Sequence, residues 1–386
     1  MPTETTLLRF LKSKSPEYHG KALEMRKAVS KWLEFIPQTF PHYTRHTIGH
    51  SDEIVLQLSK LLFSESGKLA TSPINATEAF ILVAAAYLHD AGMVTSDLEK
   101  ANILNSADWK RWTSGSNGGA KRFKEIENYF PKKGSKSFLQ QSFSANIQLR
   151  HLIAEYIRRF HHSRSKDLIL THEAALGQFS FGDTELARSI GDVCLSHGLN
   201  KAQLDDSHRF PFARDIRGES VNLRLLAILL RIGDLLDVSQ DRACPLLLSP
   251  ACPLPSDSIA HWKIHQRFTH RHVSPNRVEF TAECEKQEEH RLLQDWFQWL
   301  VEERNYAAAT LTRMPSGTRW LPPAISIEGE APTIVIRPSR SATYIPSRWV
   351  FELDQELVLQ RLIRDIYHHP RTFLRELIQN SLDAMR

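Results

Sequence analysis

The chain has 386 residues, 41% of them hydrophobic and 24% charged, with a net charge of +5. That length asks for two or three domains, the composition excludes a disordered or fibrous protein, and the mild positive charge suits a handler of phosphates without indicating nucleic acid. No run is long and apolar enough to span a membrane, Met1-Pro2-Thr3-Glu4 lacks the basic and apolar regions of a secretory signal, and Cys194, Cys244, Cys252 and Cys284 form no Cys-x-x-Cys pair, so a reducing, cytoplasmic setting is expected, with neither a disulfide frame nor a zinc knuckle.

Residues 1 to about 36 read as helix. Leu7, Leu8, Phe10 and Leu11 recur at helical spacing, as do Leu23, Met25, Val29, Trp32, Leu33 and Ile36. Pro37 and Pro41 stop the second of these helices. A new amphipathic helix starts from His50, with Ile54, Val55, Leu58, Leu61 and Leu62 on its apolar face. The next, about residues 76 to 88, is apolar nearly all round and is expected to be the central, buried helix. It closes in His89 and Asp90. Residues 93 to 145 are less regular. Ser114 to Gly119 reads as a surface loop, because no strand precedes it and the Gly-Lys-Ser/Thr ending of a phosphate loop is missing. Lys132, Lys133 and Lys136 read as a basic, solvated loop.

From Asn146 the helical pattern resumes and is expected to end in Arg158-Arg159-Phe160-His161-His162-Ser163-Arg164-Ser165. Another helix, about residues 184 to 196, ends in Ser196-His197-Gly198. The last apolar helix, 221 to 236, is interrupted by charge in Arg231-Ile232-Gly233-Asp234-Leu235-Leu236-Asp237. Beyond Arg242, Pro245, Pro250, Pro253 and Pro255 mark a linker. Residues 261 to 340 mix strand-like runs (277 to 281, 333 to 336) with a clear helix, 288 to 304, and read as a small α+β subdomain. After a junction at 339 to 346 come a strand, 349 to 354, a helix, 357 to 367, and a final helix from near Arg371.

His50, His89, Asp90, His161, His162, His197 and Asp234 stand at the ends or on the buried sides of these helices. A lone His-Asp step is most often a solvated helix end. Seven such residues in one all-helical region call for another explanation, since a buried ionisable group needs a partner. A divalent ion is such a partner, and helix bundles build metal sites from facing helices. The mixed imidazole and carboxylate set suits manganese, iron, cobalt, nickel or zinc better than calcium. Arg45, Arg158 and Arg164 lie near these residues in the chain and are candidates for neutralising substrate phosphates. Asp237 and Arg242 are candidates for lining the pocket, and His46 is open between a contact to a ligand, to substrate and to core.

The order His…His-Asp…Asp resembles the HD phosphohydrolase superfamily. The match covers about residues 40 to 245 and includes the flanks: His50-Ser51 starting a helix, an apolar helix closing in His89-Asp90, and Asp234 in Leu-Arg-Ile-Gly-Asp-Leu-Leu-Asp. The resemblance implies that His50, His89, Asp90 and Asp234 hold one divalent ion. In two-metal HD proteins extra histidines lie between the His-Asp step and the last Asp, where His161 (or His162) and His197 sit, with Asp90 bridging. The implied activity is metal-dependent hydrolysis of a phosphoester, a nucleotide or cyclic nucleotide. The alternative is a chaperone-like ATPase or a nucleotide-sensing regulator in which the HD domain is a non-catalytic binding module.

A second resemblance lies in Tyr367-His368-His369-Pro370-Arg371-Thr372-Phe373-Leu374-Arg375-Glu376-Leu377-Ile378-Gln379-Asn380-Ser381-Leu382-Asp383-Ala384, which is similar to the start of a GHKL ATPase of the heat-shock-chaperone type. Glu376, Asn380 and Asp383 share one helix face. The resemblance implies that Glu376 activates water and Asn380 binds magnesium beside ATP. The later adenine and lid motifs are absent, so a fragment of a longer protein is expected, with Mg-ATP bound only in that longer chain. The expected fold is thus mainly α: an HD-type helical bundle (1–245), an α+β accessory subdomain (246–345) and the start of an α/β GHKL ATPase domain (346–386). The expected partners are a phosphorylated small molecule and a second copy joined through the ATPase part, with no membrane and no nucleic acid. A defence effector coupled to a chaperone-type ATPase is the biological setting that the pairing suggests.

Overall fold

Hydroxyl caps and apolar spacing set the first helices. In this computed structural model, which describes residues 4–64, 74–115, 118–130, 137–171, 183–243, 256–314, 320–346 and 370–384, Thr5 accepts the Leu8 N–H at the head of α1 (Thr6–Lys14) and Ser15 accepts that of Tyr18 at the head of α2 (Pro16–Leu33). Each side chain replaces a hydrogen bond that a first helical turn lacks. Pro37 lies in the first turn of a short α3 (Ile36–Thr39), where a missing N–H costs nothing. Then come α4 (Ile48–Leu62) and α5 (Ala76–Leu88). After its first residue α5 is buried on every side, as its unbroken apolar run requires.

The region 93–145 is more regular than expected. It holds α6 (Asp97–Asn105), α7 (Ala107–Ser114) and α8 (Gly118–Glu127). Ser96 and Ser106 cap α6 and α7, a local signal that the weak apolar periodicity hides. Gly119, expected in a loop, belongs to α8 and packs on Trp112: a Cβ there would lie 2.3 Å from the indole. The following α9 (Phe138–Thr171) runs for 34 residues through the expected stop at 158–165. His161 and His162 are therefore mid-helix. The polar run that suggested an end is one whose side chains find partners across the bundle, as Ser165 does with the His89 carbonyl and Arg164 with the Gly92 carbonyl.

Next are α10 (Thr184–Ser196), the short α11 (Lys201–Leu204) and a hairpin, β1 (Arg214–Ile216) with β2 (Glu219–Val221). The hairpin turns through Arg217 and Gly218, with φ of 54° and 79°, the positive values that match a tight turn to the strand twist. It delivers the chain into α12 (Leu223–Leu235). The core forms where α5 packs against α2, α4, α10 and α12. The fully buried Glu78 joins two of these helix starts: its carboxylate accepts the Asn75 N–H at the head of α5 and the Asn222 N–H at the head of α12, each at 2.8 Å.

Beyond the bundle, α13 (Ser256–Ile264) precedes a three-stranded sheet of β3 (Phe268–Val273), β4 (Val278–Cys284) and β5 (Ile334–Pro338). The order is β3-β4-β5, antiparallel then parallel, with α14 (Gln287–Leu311) as the crossover. Val278, Phe280, Ala282 and Cys284 alternate inward on β4, and Phe280 meets Phe297 of α14 with ring centroids 5.2 Å apart. β3 escapes a sequence reading because Thr269, His270, Arg271 and His272 separate its two buried ends. All these elements lie in one compact unit, Met1–Tyr344, and the sheet and α14 share the hydrophobic core of the bundle. The second unit is Ile345–Arg386, whose described part is α15 (Pro370–Ala384). The fold is mainly helical with a small sheet region, a helical bundle plus a small α+β part. Among the described residues no single helix is long and apolar enough to cross a membrane. The expected strand at 349–354, helix at 357–367, proline-rich stretch at 245–255 and basic loop at 132–136 lie outside the described residues.

Candidate metal centre

Five helices converge on one point. His50 sits in the first turn of α4, His89 caps the C-terminus of α5 with Asp90 after it, His161 is on α9, His197 caps the C-terminus of α10, and Asp234 is in the last turn of α12. His50, His89 and Asp234 bring one ligand atom each within 4.8 Å of one another, and Asp90, His161 and His197 form a second such group. Asp90 stands between them. One of its oxygens is 3.2 Å from His89 Nε2 and 3.6 Å from His50 Nε2, and the other is 3.4 Å from His161 Nε2. His50 Nε2 is also 3.3 Å from Asp234.

The glycine after the His-Asp step makes this convergence possible. Gly92 lies so close to α9 that a Cβ would fall 2.2 Å from the His161 carbonyl oxygen and 2.5 Å from the Ser165 nitrogen. Its N–H donates to the Ser165 hydroxyl at 2.9 Å. Gly92→Ala should therefore push α9 away and carry His161 out of the second group. Overpacking of this kind costs about 1–3 kcal/mol, so a lower urea midpoint and a lower bound-metal content are the expected results, and wild-type values for both would refute this role.

The rings are held in one tautomer. His89, His161 and His197 each donate Nδ1–H to the carbonyl three residues earlier, of Ala86 (3.0 Å), Arg158 (2.6 Å) and Cys194 (2.5 Å). A carbonyl only accepts, so Nδ1 carries the proton and the Nε2 lone pair faces the centre. His50 differs: its Nδ1 is paired with the carboxylate of Asp237 at 2.5 Å. Asp237, expected to line a substrate pocket, is completely buried and orients a metal-ligand candidate instead.

The electrostatics fit a cation. Burial and the Arg242 charge oppose protonation of His50, but its bonds to Asp234 and Asp237 win and lift it to about 9. Burial would raise Asp90; the His89 charge and the close approach of His161 and His89 outweigh it and hold the carboxyl well below the usual range. His197 is pushed far down by burial and by His161 and His89. Two atoms at the middle, His89 Nε2 and the Asp90 oxygen facing it, are buried and make no hydrogen bond. His161 Nε2 and His197 Nε2 face each other at 2.7 Å with both Nδ1 protons already committed, a contact that a cation or a proton shared between the rings makes favourable. Four inward imidazole nitrogens, with the His50 proton displaced on binding, and two carboxylates make the donor set that divalent first-row ions take.

The remaining candidates divide. His162 is in neither group: its half-buried ring packs on Gly198, where a Cβ would lie 2.2 Å away, and burial and His161 bring it down to about 4. Arg45 is exposed and meets the Arg242 carbonyl through its backbone N–H at 2.9 Å. Arg164 spends its donors on the turn after Asp90, at the carbonyls of Gly92 (2.7 Å) and Val94 (3.2 Å) and at Glu99. His46, Arg158 and Arg242 do come together, on the wall of a cavity of about 670 Å³ beside the centre. There Arg242 donates to His46 Nε2 at 2.9 Å, and Arg158 lies 5.4 Å over the Tyr43 ring. The rest of that wall was missed in the sequence, although His261 and His265 four apart and Trp296 and Trp299 three apart are spacings that put each pair on one side of a helix.

His265 offers a test of the cavity wall. Burial, helped by Arg242, depresses it to about 3. The unfolded chain takes a proton there near pH 6.5 and the folded chain refuses it, so this stability is full above pH 6.5 and is lost as the pH falls toward 3. Each pKa unit is worth about 1.4 kcal/mol. The urea midpoint is expected to fall on acidification through this window, and to fall less in His265→Gln; equal slopes would refute the assignment.

A helical bundle with ligands in the order His…His-Asp…Asp on facing helices defines an HD-type domain, in general terms a metal-dependent phosphohydrolase. The family model described as HD-CE matches residues 40–306, and the chain belongs to that family. The match continues past α12 through β3 and β4 and along most of α14, the part that shares the bundle core. No curated protein and no solved structure matches the chain.

Proposed function

We propose that this chain hydrolyses a phosphoester, a nucleotide or cyclic nucleotide, at the His-Asp centre. The observation that carries the reading is the inward convergence of four imidazole Nε2 atoms on Asp90 and Asp234. His50, His89 and Asp234 would hold one divalent ion, and His161 and His197 a second, with Asp90 between them. Such ions, when bound, acidify water and polarise a phosphoryl oxygen. The chain's own residues do the rest. Asp237 holds the His50 ring, and the three helix carbonyls hold the others. Arg158 and Arg242 place fixed positive charge beside the centre, where a substrate phosphate is drawn and oriented.

The C-terminal segment supports a coupled role. The resemblance of residues 367–384 to a GHKL ATPase, with Asn380 and Asp383 exposed on α15, favours a role for Glu376, Asn380 and Asp383 at an Mg-ATP site. We place the whole in the cytoplasm, as a homodimeric effector.

The test is elemental analysis of the purified chain together with phosphate release from a panel of nucleotides and cyclic nucleotides with manganese, before and after chelation. Bound transition metal, and turnover that is lost with EDTA and restored by manganese, are expected. Metal without turnover of any substrate would overturn hydrolysis in favour of a sensor.

A further inference from the structure

The cavity that shares the His46–Arg242 wall is not the metal centre: none of the six ligand candidates lines it. Its volume, about 670 Å³, is that of a pocket for a small organic ligand. Two imidazole nitrogens on its wall, His42 Nδ1 and His265 Nδ1, make no hydrogen bond, and neither does Arg242 Nε, which has only an ion pair with Asp237 at 3.7 Å. His265 and Arg242 are only 3% and 6% exposed, so within the protein these atoms face the cavity alone or a charged neighbour. Buried polar groups left unpaired cost stability, and a site that keeps them is a site that expects an occupant.

The wall also states what the occupant is. Trp296 and Trp299 lie one turn apart on α14, and their N–H groups are tied behind the cavity, to the Leu235 carbonyl at 3.0 Å and to Glu303 at 3.3 Å. What they offer the cavity is π surface, and Trp299 is 48% exposed at its mouth. Burial holds His42 at about 4 and His265 at about 3, so both are neutral imidazoles near pH 7, able to donate or accept at the edge of a heterocycle. Arg158 and Arg242 bring positive charge. Stacking plates, neutral edge readers and a guanidinium pair are the complement of a planar heterocycle that carries an anion.

We infer that the cavity binds a nucleotide, its base stacked on Trp299 and its phosphate toward Arg158 and Arg242. The inference goes beyond hydrolysis and does not depend on it, because binding is measured with the metal centre stripped. The occupant is either the base of the substrate or a separate effector; the chemistry is the same.

The experiment is equilibrium dialysis of AMP, GMP, CMP and UMP against the full chain in EDTA. Saturable binding of at least one is expected. Trp299→Ala should weaken it about tenfold or more, the scale of a lost base–aromatic stack, while Trp299→Phe, which keeps a plate and loses only the bond to Glu303, should bind within about threefold of wild type. Arg158→Ala should weaken the nucleotide and leave the matching nucleoside unchanged. With manganese restored, competition against the hydrolysed substrate identifies the substrate's own base, and a changed rate without competition identifies an effector. The inference is overturned if no nucleotide binds in EDTA, if Trp299→Ala binds normally, or if Trp299→Phe is as damaged as Trp299→Ala, since the effect would then run through Glu303.

Discussion

Asp90→Ala is expected to lose both the bound metal and phosphate release. The carboxylate lies between the two ligand groups, 3.2 Å from His89 Nε2 through one oxygen and 3.4 Å from His161 Nε2 through the other. Without it the second group, His161 and His197, keeps no carboxylate, and the first is left with Asp234 alone to balance a divalent charge. Lewis-acid and water activation by a bound ion are worth several kcal/mol, so turnover should fall at least about 10³-fold. Elemental analysis and phosphate release on one preparation check both outcomes, with circular dichroism to establish that the bundle is folded. Hydrolysis retained at the wild-type rate in this variant would remove the centre as the seat of catalysis.

A second large effect is expected far from any ligand, at Glu303 on α14. Its carboxylate receives the Arg231 guanidinium at 2.9 and 2.6 Å, and both residues are buried. The same guanidinium donates to the carbonyls of Ser196 and Leu199, at 2.7 and 2.8 Å, on either side of His197. Arg231 lies one turn before Asp234 on α12. One ion pair thus ties α14 to the ends of two ligand-bearing helices. Glu303→Leu leaves a buried, unpaired guanidinium, which costs about 3–5 kcal/mol, and it frees Arg231 to move, so metal content should fall as well. Arg231→Met combined with Glu303→Leu should recover most of the stability, since an apolar pair of similar volume replaces a buried ion pair at little cost. It should not recover the metal, because the bonds by which Arg231 holds the carbonyls on either side of His197 are gone. A loss under about 1 kcal/mol in Glu303→Leu would refute the tie.

Much of the bundle was legible because its helices carry one apolar face and a local stop. Residues 184 to 196 and the all-apolar helix before His89 are both placed by periodicity and capping. The candidate ligands stand out in the sequence for a related reason: an ionisable residue in an apolar helix, such as Asp234, has no packing explanation. The failures are also physical. In α9 the polar run Arg158–Ser165 looks like an end, but its partners lie across the bundle in the turn after Asp90, and such partners are invisible to local pattern. Choosing His161 over His162 needed the contact of Gly92 with α9, and of Gly198 with the His162 ring. Asp237 reads as a pocket residue until the fold brings it to His50. The cavity wall was hidden because its members, from His42 to Trp299, are far apart in the chain and none is unusual alone.

The anchoring of the four imidazoles has a consequence for assembly. Three of them bond within their own helix, so the formation of α5, α9 and α10 fixes the tautomer and restricts the ring before the helices meet. The rotational entropy of those rings is lost locally, and the docking helices bring donors already aimed. His50 has no such local anchor. Its Nδ1 waits for Asp237, which is 187 residues later in the chain, and Asp234 arrives on the same segment. The centre is therefore closed by the most non-local contact in it, and loop closure makes that contact slow to form. During refolding, capture of a divalent ion with full affinity should trail the growth of helical signal, and the interval between the two would time the arrival of α12 on α4.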